Sequence, residues 1–201
     1  SRDISRYIWA NESTLLYLMD NGGDENDQVF SVKLDGSGSK ALTPKGSKAF
    51  ISDRIPEEKD LVMIQSNQRD PRSFDPYMLN ISNGEMTMLA TNPGGVSEWM
   101  LDHDNVLRAA IKSDGVNSKV IYRENNDAEF RTVLTTNFKE TLSPLFFTFD
   151  NKHIYASSNL GRDKLAIVIF DIENGKEIEV LYENDQYDVY SLYFSRKRKL
   201  I

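Results

Sequence analysis

Hydrophobic and polar positions along this chain repeat with a period of 46 or 47 residues. Four short apolar runs, LLYL, LVMI, LRAAI and IYAS, begin at Leu15, Leu61, Leu107 and Ile154. Each is followed by an alternating apolar run and then by a shorter run with a leucine: Leu42, Leu89, Leu134 and Leu181. Each is also preceded by an apolar and aromatic run such as RYIWA or LFFTF. The pattern predicts four units of four short strands, and it shows no sustained helical spacing.

The connections within each unit indicate antiparallel pairing. The last two runs of each unit are joined by LDGSGS, ISNGE, RENNDAE or IENGK. Asp-Gly and Asn-Gly pairs in such places favour type I′ hairpin turns, in which both central residues take positive φ. Four-stranded antiparallel units that repeat every 40 to 50 residues are typical of β-propeller blades. A β-sandwich and an elongated solenoid are the alternatives, and the even spacing favours the propeller.

The predicted fold class is therefore all-β: a β-propeller fragment of four four-stranded antiparallel blades plus the first strand of a fifth. The blades are expected at about 4–43, 48–90, 96–135 and 143–183, with the start of a fifth at 188–201, in one partial domain over 1–201.

The basic end of the chain, SLYFSRKRKLI, fits this repeat. In register with the earlier units, Tyr193-Phe194 is a first strand, Ser195 to Lys199 a first turn and Leu200-Ile201 the start of a second strand. The four basic residues are thus predicted to form an exposed turn, and a partner-binding tail is the alternative. We expect the chain to be a fragment of a longer protein.

Composition narrows the classes of partner. With 24 Lys and Arg against 31 Asp and Glu, the net charge of −7 argues against nucleic-acid binding, which needs many phosphate contacts. No apolar run approaches the roughly 20 residues of a membrane helix, so we expect no membrane partner. The absence of cysteine excludes disulfides and thiolate chemistry and is compatible with both cytoplasm and periplasm. We expect no cofactor.

Several strings carry a resemblance to a known family. The stretch YIWANESTLLYLMDNGGDENDQVFSVKLDG is followed by LTP, NQRDPRSFDPYMLNISNGE and NPGGVSEWMLDHDNVLRAA. In this order, with GDEN, RDPR and DHD, they resemble the N-terminal propeller of prolyl oligopeptidase-family serine peptidases, most closely the acylaminoacyl-peptidase and dipeptidyl-aminopeptidase branch. The resemblance runs from about residue 4 to the end of the chain.

The resemblance implies a larger parent protein. In this family the propeller covers the active site of an α/β-hydrolase domain with a Ser-Asp-His triad, and this sequence contains no such domain. It has no Gly-x-Ser-x-Gly motif, since GSGS at 36–39 has the wrong spacing. The implied role is to gate the access of short peptides to the parent's own catalytic domain and to help position them. We therefore expect no catalytic residue in this chain.

Two other function classes stay open. One is a stand-alone TolB-like propeller that acts as a protein-binding module. The other is a propeller enzyme such as a glycosidase, which needs paired acids; Glu98, Asp102 and Asp104 are the nearest to such a set. His103 and His153 fall in or next to turns, where we interpret them as solvent-facing or strand-capping residues.

Two polar segments supply the candidate contact residues. The acidic segment 20–27 has enough oxygen atoms to suggest Ca²⁺, but its spacing matches no EF-hand, so we expect no metal. In segment 66–76, Arg69, Asp70 and Arg72 surround Pro71. Two arginines at a proline bend bind a carboxylate bidentately or pair with acids of a neighbouring blade. The candidates for substrate or interdomain contact are Asp24, Glu25, Arg69, Asp70 and Arg72.

The large apolar residues are predicted to pack between blades. They include Trp9, Trp99, Phe147 and Phe149, for which carbohydrate stacking by the tryptophans is the alternative. An incomplete ring exposes blade faces and strand edges, so we expect either a homodimer through the exposed blade edges or a marginally soluble domain.

Overall fold

A computed structural model of the chain describes residues 3–20, 22–55, 58–195 and 197–201. The described residues form sixteen β-strands in four sheets of four strands. In each sheet the strands lie in chain order and each pairs antiparallel with the next. The predicted class, an all-β propeller fragment, is confirmed. No helix among the described residues is long and apolar enough to cross a membrane.

The strand bounds follow the predicted runs closely. The first sheet contains β1 (Ile4–Trp9), β2 (Thr14–Met19), β3 (Gln28–Lys33) and β4 (Lys40–Ala41). The second contains β5 (Ala49–Arg54), β6 (Leu61–Asp70), β7 (Ser73–Asn80) and β8 (Met86–Met88). The third contains β9 (Val96–Leu101), β10 (Leu107–Ser113), β11 (Ser118–Tyr122) and β12 (Arg131–Thr136). The fourth contains β13 (Leu142–Phe147), β14 (Ile154–Ser158), β15 (Ala166–Asp171) and β16 (Lys176–Tyr182).

The chain divides into two compact units, residues 1–94 and residues 95–201. The first unit contains the first two sheets, and alternate residues of its strands, such as Leu16 and Leu18 on β2, are buried in one apolar cluster. That cluster also takes Ile64 from β6 and Leu79 from β7. Side chains alternate between the two faces of a strand, so Leu16 and Leu18, two positions apart, point to the same face of the first sheet.

The second unit has its own core, to which both of its sheets contribute. Ala109 and Val120 come from the third sheet, and Phe147, Val168 and Phe170 come from the fourth. All five side chains are buried. Burial of one such aliphatic or aromatic side chain stabilises the fold by about 1.5–3 kcal/mol relative to exposure.

The hairpin turns differ from the predicted type I′. In ISNGE and IENGK only the glycine has positive φ, +83° at Gly84 and +69° at Gly175, and the preceding asparagine does not. In both turns the glycine N–H donates to the carbonyl oxygen four residues earlier, at 2.8 Å: Asn80 for Gly84 and Asp171 for Gly175. The type I′ prediction was wrong because these loops have more than two residues. In such a loop only the glycine adopts the left-handed conformation.

The end of the chain folds back on itself as a short hairpin. Tyr193 and Ile201 exchange both backbone hydrogen bonds, and the Ser195 N–H donates to the Lys199 carbonyl oxygen at 2.8 Å. Residues 197–199 are exposed, as predicted for the basic turn, and Arg196 lies outside the described residues. That this hairpin starts a fifth blade stays a prediction.

Of the four aromatic residues predicted to pack between blades, three are buried or half-buried, although Trp99 contacts Phe130 within its own blade. Phe147 is in the core of the second unit, and Trp99 is buried against Phe130 with ring centroids 5.7 Å apart. Phe149 is half-buried and its ring lies 5.4 Å from that of Phe194. For Trp9 the prediction was wrong, because this side chain at the end of β1 is 49% exposed.

Candidate functional site

Segment 66–76 was expected to be a loop. It is instead the outer part of a long hairpin. Strand β6 continues to Asp70, β7 begins at Ser73, and Pro71 and Arg72 form the turn between them. The Arg72 N–H donates to Asp70 Oδ1 at 3.0 Å, which closes the turn around the proline. We call residues 66–76 the arm.

A bidentate ion pair fixes the base of the arm. Arg69 Nε donates to Asp75 Oδ2 at 2.6 Å and Arg69 Nη2 donates to Asp75 Oδ1 at 2.9 Å. The Asp75 side chain is fully buried, whereas that of Arg69 is 38% exposed. The hydrogen bonds to Asp75 raise the pKa of Arg69 further above its usual range. Such a fork-to-fork pair holds both side chains in one geometry.

The same carboxylate binds the segment that leaves the second sheet. The Asn92 N–H donates to Asp75 Oδ1 at 2.7 Å. The Asn92 side chain in turn donates from Nδ2 to the Phe74 carbonyl oxygen at 3.0 Å, and its Oδ1 accepts from the Gly94 N–H at 2.9 Å. Ser73 Oγ donates to the Asn92 carbonyl oxygen at 3.1 Å. The arm is therefore anchored on a rigid base.

The tip of the arm carries an exposed ion pair. Arg72 Nε donates to Asp70 Oδ1 at 3.1 Å and Nη2 donates to Oδ2 at 3.0 Å. These hydrogen bonds lower the pKa of Asp70 from its ordinary 3.8 to about 2. The Arg72 side chain is 88% exposed. Because a solvated pair contributes little free energy, a carboxylate from another molecule can replace Asp70 on Arg72 at small cost.

The acidic candidates lie in the connection between β2 and β3. Asp24 Oδ1 accepts from the Asn26 N–H at 3.0 Å, a local turn, and Glu25 is exposed with a φ of +58°. The ion pairs of Arg69 and Arg72 run to Asp75 and Asp70 of their own hairpin and not to the acids of the preceding blade. No group of three or more potential metal ligands is assembled among the described residues, and Asn21 lies outside them.

The residues considered for catalysis have structural roles in turns. His103 Nε2 lies 3.0 Å from the Phe147 carbonyl oxygen, and the His153 N–H donates to Thr148 Oγ1 at 3.0 Å. Asp102 is buried and accepts at 2.9 Å from the N–H groups of Asp104 and Val106. A carboxylate whose oxygens accept hydrogen bonds from its own turn is a poor general acid or nucleophile. Asp102 is therefore a poor candidate for the catalytic acid of a glycosidase.

Comparison with known proteins shows which proteins have sequences similar to this chain. The chain is 32% identical over 192 residues to dipeptidyl aminopeptidase BIII of Pseudoxanthomonas mexicana, an alignment that covers 90% of this chain and 27% of that protein. It is 24% identical over 200 residues to dipeptidyl peptidase family member 6 of Caenorhabditis elegans, covering 89% and 26%. The chain is homologous to the propellers of prolyl oligopeptidase-family peptidases.

The homologous part is short relative to these proteins: the chain spans about a quarter of the length of both relatives. No family model matches the chain. Among solved structures, puromycin hydrolase is 13% identical with a TM-score of 0.59, covering 82% of this chain and 28% of that one. TolB from Acinetobacter baumannii is 16% identical with a TM-score of 0.57, covering 89% and 42%. At these identities the structural likeness shows the fold alone.

Two residues that hold the base of the arm were not predicted from the sequence. Asp75 and Asn92 were not among the candidates, although Asp75 occupies the same strand face as Tyr77 and Leu79, which are buried. The signal was therefore present, because a carboxylate at a core-facing position of a strand must find hydrogen-bond donors. The position of Asn92, 17 residues further on, follows only from the fold.

Proposed function

We propose that this chain is the non-catalytic propeller of a serine peptidase, where it gates the access of short peptides to an α/β-hydrolase domain outside this sequence. The observation that carries the proposal is the homology to dipeptidyl aminopeptidase BIII over 90% of the chain. The ordered strings GDEN, RDPR and DHD support the same origin. A propeller in this position selects substrates by size, since a narrow opening admits a flexible peptide and excludes a folded protein.

The arm supplies the contact in this proposal. Its base is held by the buried Asp75, and its tip presents Arg72 to solvent. A rigid element that carries an exposed guanidinium is suited to orient a carboxylate, in this case the C-terminal carboxylate of a short peptide. We assign Arg72 the substrate contact, in which the substrate carboxylate takes the place of Asp70, and Asp70 the role of holding the guanidinium when no substrate is bound. Arg69 acts as an anchor.

The test of the peptidase proposal is the native gene product from its source, examined by intact mass and by labelling with a fluorophosphonate serine probe. We expect a protein much larger than the 23.0 kDa of this chain that takes the label. A native product of 23.0 kDa without label overturns the proposal and leaves the TolB-like binding module as the better hypothesis.

The contact role of Arg72 is tested in the same full-length protein. Arg72→Ala is expected to raise KM for a short peptide with a free C-terminal carboxylate about tenfold, with little change for the C-terminally amidated peptide. Arg198→Ala, an exposed arginine of the terminal hairpin, is the matched control and leaves both KM values unchanged. An equal effect of Arg72→Ala on both peptides refutes the assignment.

A further inference from the structure

The second unit contains a cavity of about 240 Å³ between its two sheets. It opens beside the connection between β10 and β11 and the connection between β12 and β13. Six of its lining residues decide its chemistry: Glu98, Ile111, Val116, Phe138, Glu140 and Leu142.

Two carboxylates make this cavity anionic, and no lysine or arginine is part of its lining. The Glu98 side chain has no hydrogen bond or ion pair with any residue that the structure describes, and it pairs on the sheet with Ile111, another lining residue. Glu140 is half-buried, and its Oε1 accepts from the Gly161 N–H at 3.2 Å. Glu140 Oε2 and both oxygens of Glu98 are thus available as acceptors.

The rest of the lining is mixed. Ile111, Val116, Phe138 and Leu142 are apolar, and the other residues are glycine, serine, threonine and asparagine. Val116 and Phe138 are 69% and 82% exposed. The ring of Phe138 already has an ammonium group near it, since Lys139 Nζ lies 5.8 Å from its centroid. An aromatic face beside carboxylates attracts organic cations through the quadrupole of the ring.

We propose that this cavity binds the side chain of a lysine or arginine of a peptide. Both have an apolar stem and a cationic head, which match the four apolar side chains of the lining and its two carboxylates. The volume lies below the roughly 300–1,000 Å³ of sites for drug-sized ligands, and so it suits one long side chain. This inference rests on the proposed function only in taking peptides as the molecules that this chain meets.

The experiment measures binding to the 201-residue chain by titration calorimetry. The ligands are capped tripeptides, acetyl-Gly-Lys-Gly-amide and its arginine analogue, and the neutral comparison is the norleucine analogue, which keeps the stem and removes the charge. We expect both cationic peptides to bind about tenfold or more tightly than the norleucine peptide. Glu98→Gln and Glu140→Gln should each weaken them several-fold, and Phe138→Ala should weaken both as well.

Controls separate this proposal from its competitors. Glu12→Gln replaces an exposed glutamate of the first unit and is expected to leave binding unchanged. Titration with the uncapped Gly-norleucine-Gly-amide tests whether the cavity binds a free amino terminus instead of a cationic side chain. The proposal is overturned by equal binding of the norleucine peptide, by unchanged binding in both glutamine variants, by binding of the uncapped peptide alone, or by no saturable binding up to about 10 mM. None of these outcomes bears on fluorophosphonate labelling, so the two proposals fail separately.

Discussion

At the scale of single residues, arginine–carboxylate pairs have two different roles in this chain: some hold the structure together, and one remains accessible to solvent. Asp75 is buried and accepts from Arg69 and from a backbone N–H, so its removal leaves donors without a partner. The second unit repeats the arrangement: Arg162 Nη2 donates to Glu177 Oε2 at 2.6 Å, and Ser158 Oγ donates to the same carboxylate. Each of these two pairs holds a connecting segment against its sheet. The pair of Arg72 and Asp70 closes only its own turn, and the Arg72 guanidinium remains accessible to a ligand.

The first prediction concerns the buried carboxylate. Asp75→Ala should lower the free energy of unfolding by about 1–3 kcal/mol, because the Asn92 N–H loses its acceptor inside the protein. The measurement is urea unfolding followed by circular dichroism. Asp70→Ala, at the tip of the same arm, should lower the midpoint much less, because its ion pair with the exposed Arg72 is screened by solvent. Equal midpoints for the two variants would contradict the anchoring role of Asp75.

The second prediction concerns the pKa of Asp70. Its folded value of about 2 lies below the ordinary 3.8 because Arg72 donates hydrogen bonds to the carboxylate, so the charged pair persists down to about pH 2 and is lost below it. In Arg72→Ala the pKa should return towards 3.8, as read from the carboxyl carbon shift in an NMR titration. Arg72→Lys should keep part of the shift. A value that stays near 2 in Arg72→Ala would show that another group causes it.

At the scale of elements, the hairpins between third and fourth strands depend on one glycine each. Gly84 and Gly175 occupy the same position in two turns and have similar positive φ. Their surroundings differ, however. A Cβ at Gly84 would meet only Leu42 Cδ2 at 4.0 Å, whereas a Cβ at Gly175 would overlap the Val133 carbonyl oxygen on β12 of the neighbouring sheet.

This contrast gives the third prediction. Gly84→Ala should cost about 1–2 kcal/mol of stability, the strain of a side chain in the left-handed region. Gly175→Ala should cost a further 1–3 kcal/mol or so, because backbone atoms must shift to relieve the contact. Thermal unfolding of the two variants in parallel measures the difference. If Gly175→Ala were no worse than Gly84→Ala, the close approach of β16's turn to β12 would be disproved.

At the scale of the whole molecule, the surface of the fourth sheet is unusually apolar. Strand β16 pairs with β15 on one side only, and Ile178, Val180 and Tyr182 are exposed along it. The residues that follow continue this character: Tyr187, Tyr190 and Tyr193 are each about two-thirds exposed. A long strand edge with apolar side chains is a template for pairing with another chain. The edge of β16 is therefore our predicted interface for the homodimer, and a marginally soluble domain is the alternative.

The fourth prediction tests that place. The chain should dimerise in sedimentation velocity, and the double substitution Val180→Lys with Tyr182→Lys should weaken association by at least about tenfold, since each buried apolar side chain is worth about 1.5–3 kcal/mol. Thr135→Lys, on the exposed outer strand β12, is the control and should leave association unchanged. A monomer at all concentrations, or the same loss with Thr135→Lys, would exclude the β16 edge as the interface.

The strands of this protein could be predicted from its sequence because their cause is local. The alternation of apolar residues indicates which side chains face a core, and the period of 46 or 47 residues indicates how often the four-stranded unit recurs. The strings around Arg69 and Asp104 also carried the resemblance to prolyl oligopeptidase-family propellers. Turn types were less predictable, since the number of loop residues, and not the Asn-Gly pair, determined where positive φ falls.

The roles of the polar residues were decided only by the tertiary structure. Arg69 and Arg72 are three positions apart and chemically identical, yet one is held by a buried carboxylate and the other faces solvent. The cavity of the second unit brings together Glu98 of β9 and Glu140 of the connection between β12 and β13. The physical reason is that a charge interacts with whatever lies within a few ångströms in space, and for residues so distant along the chain that neighbourhood exists only after the sheets have packed.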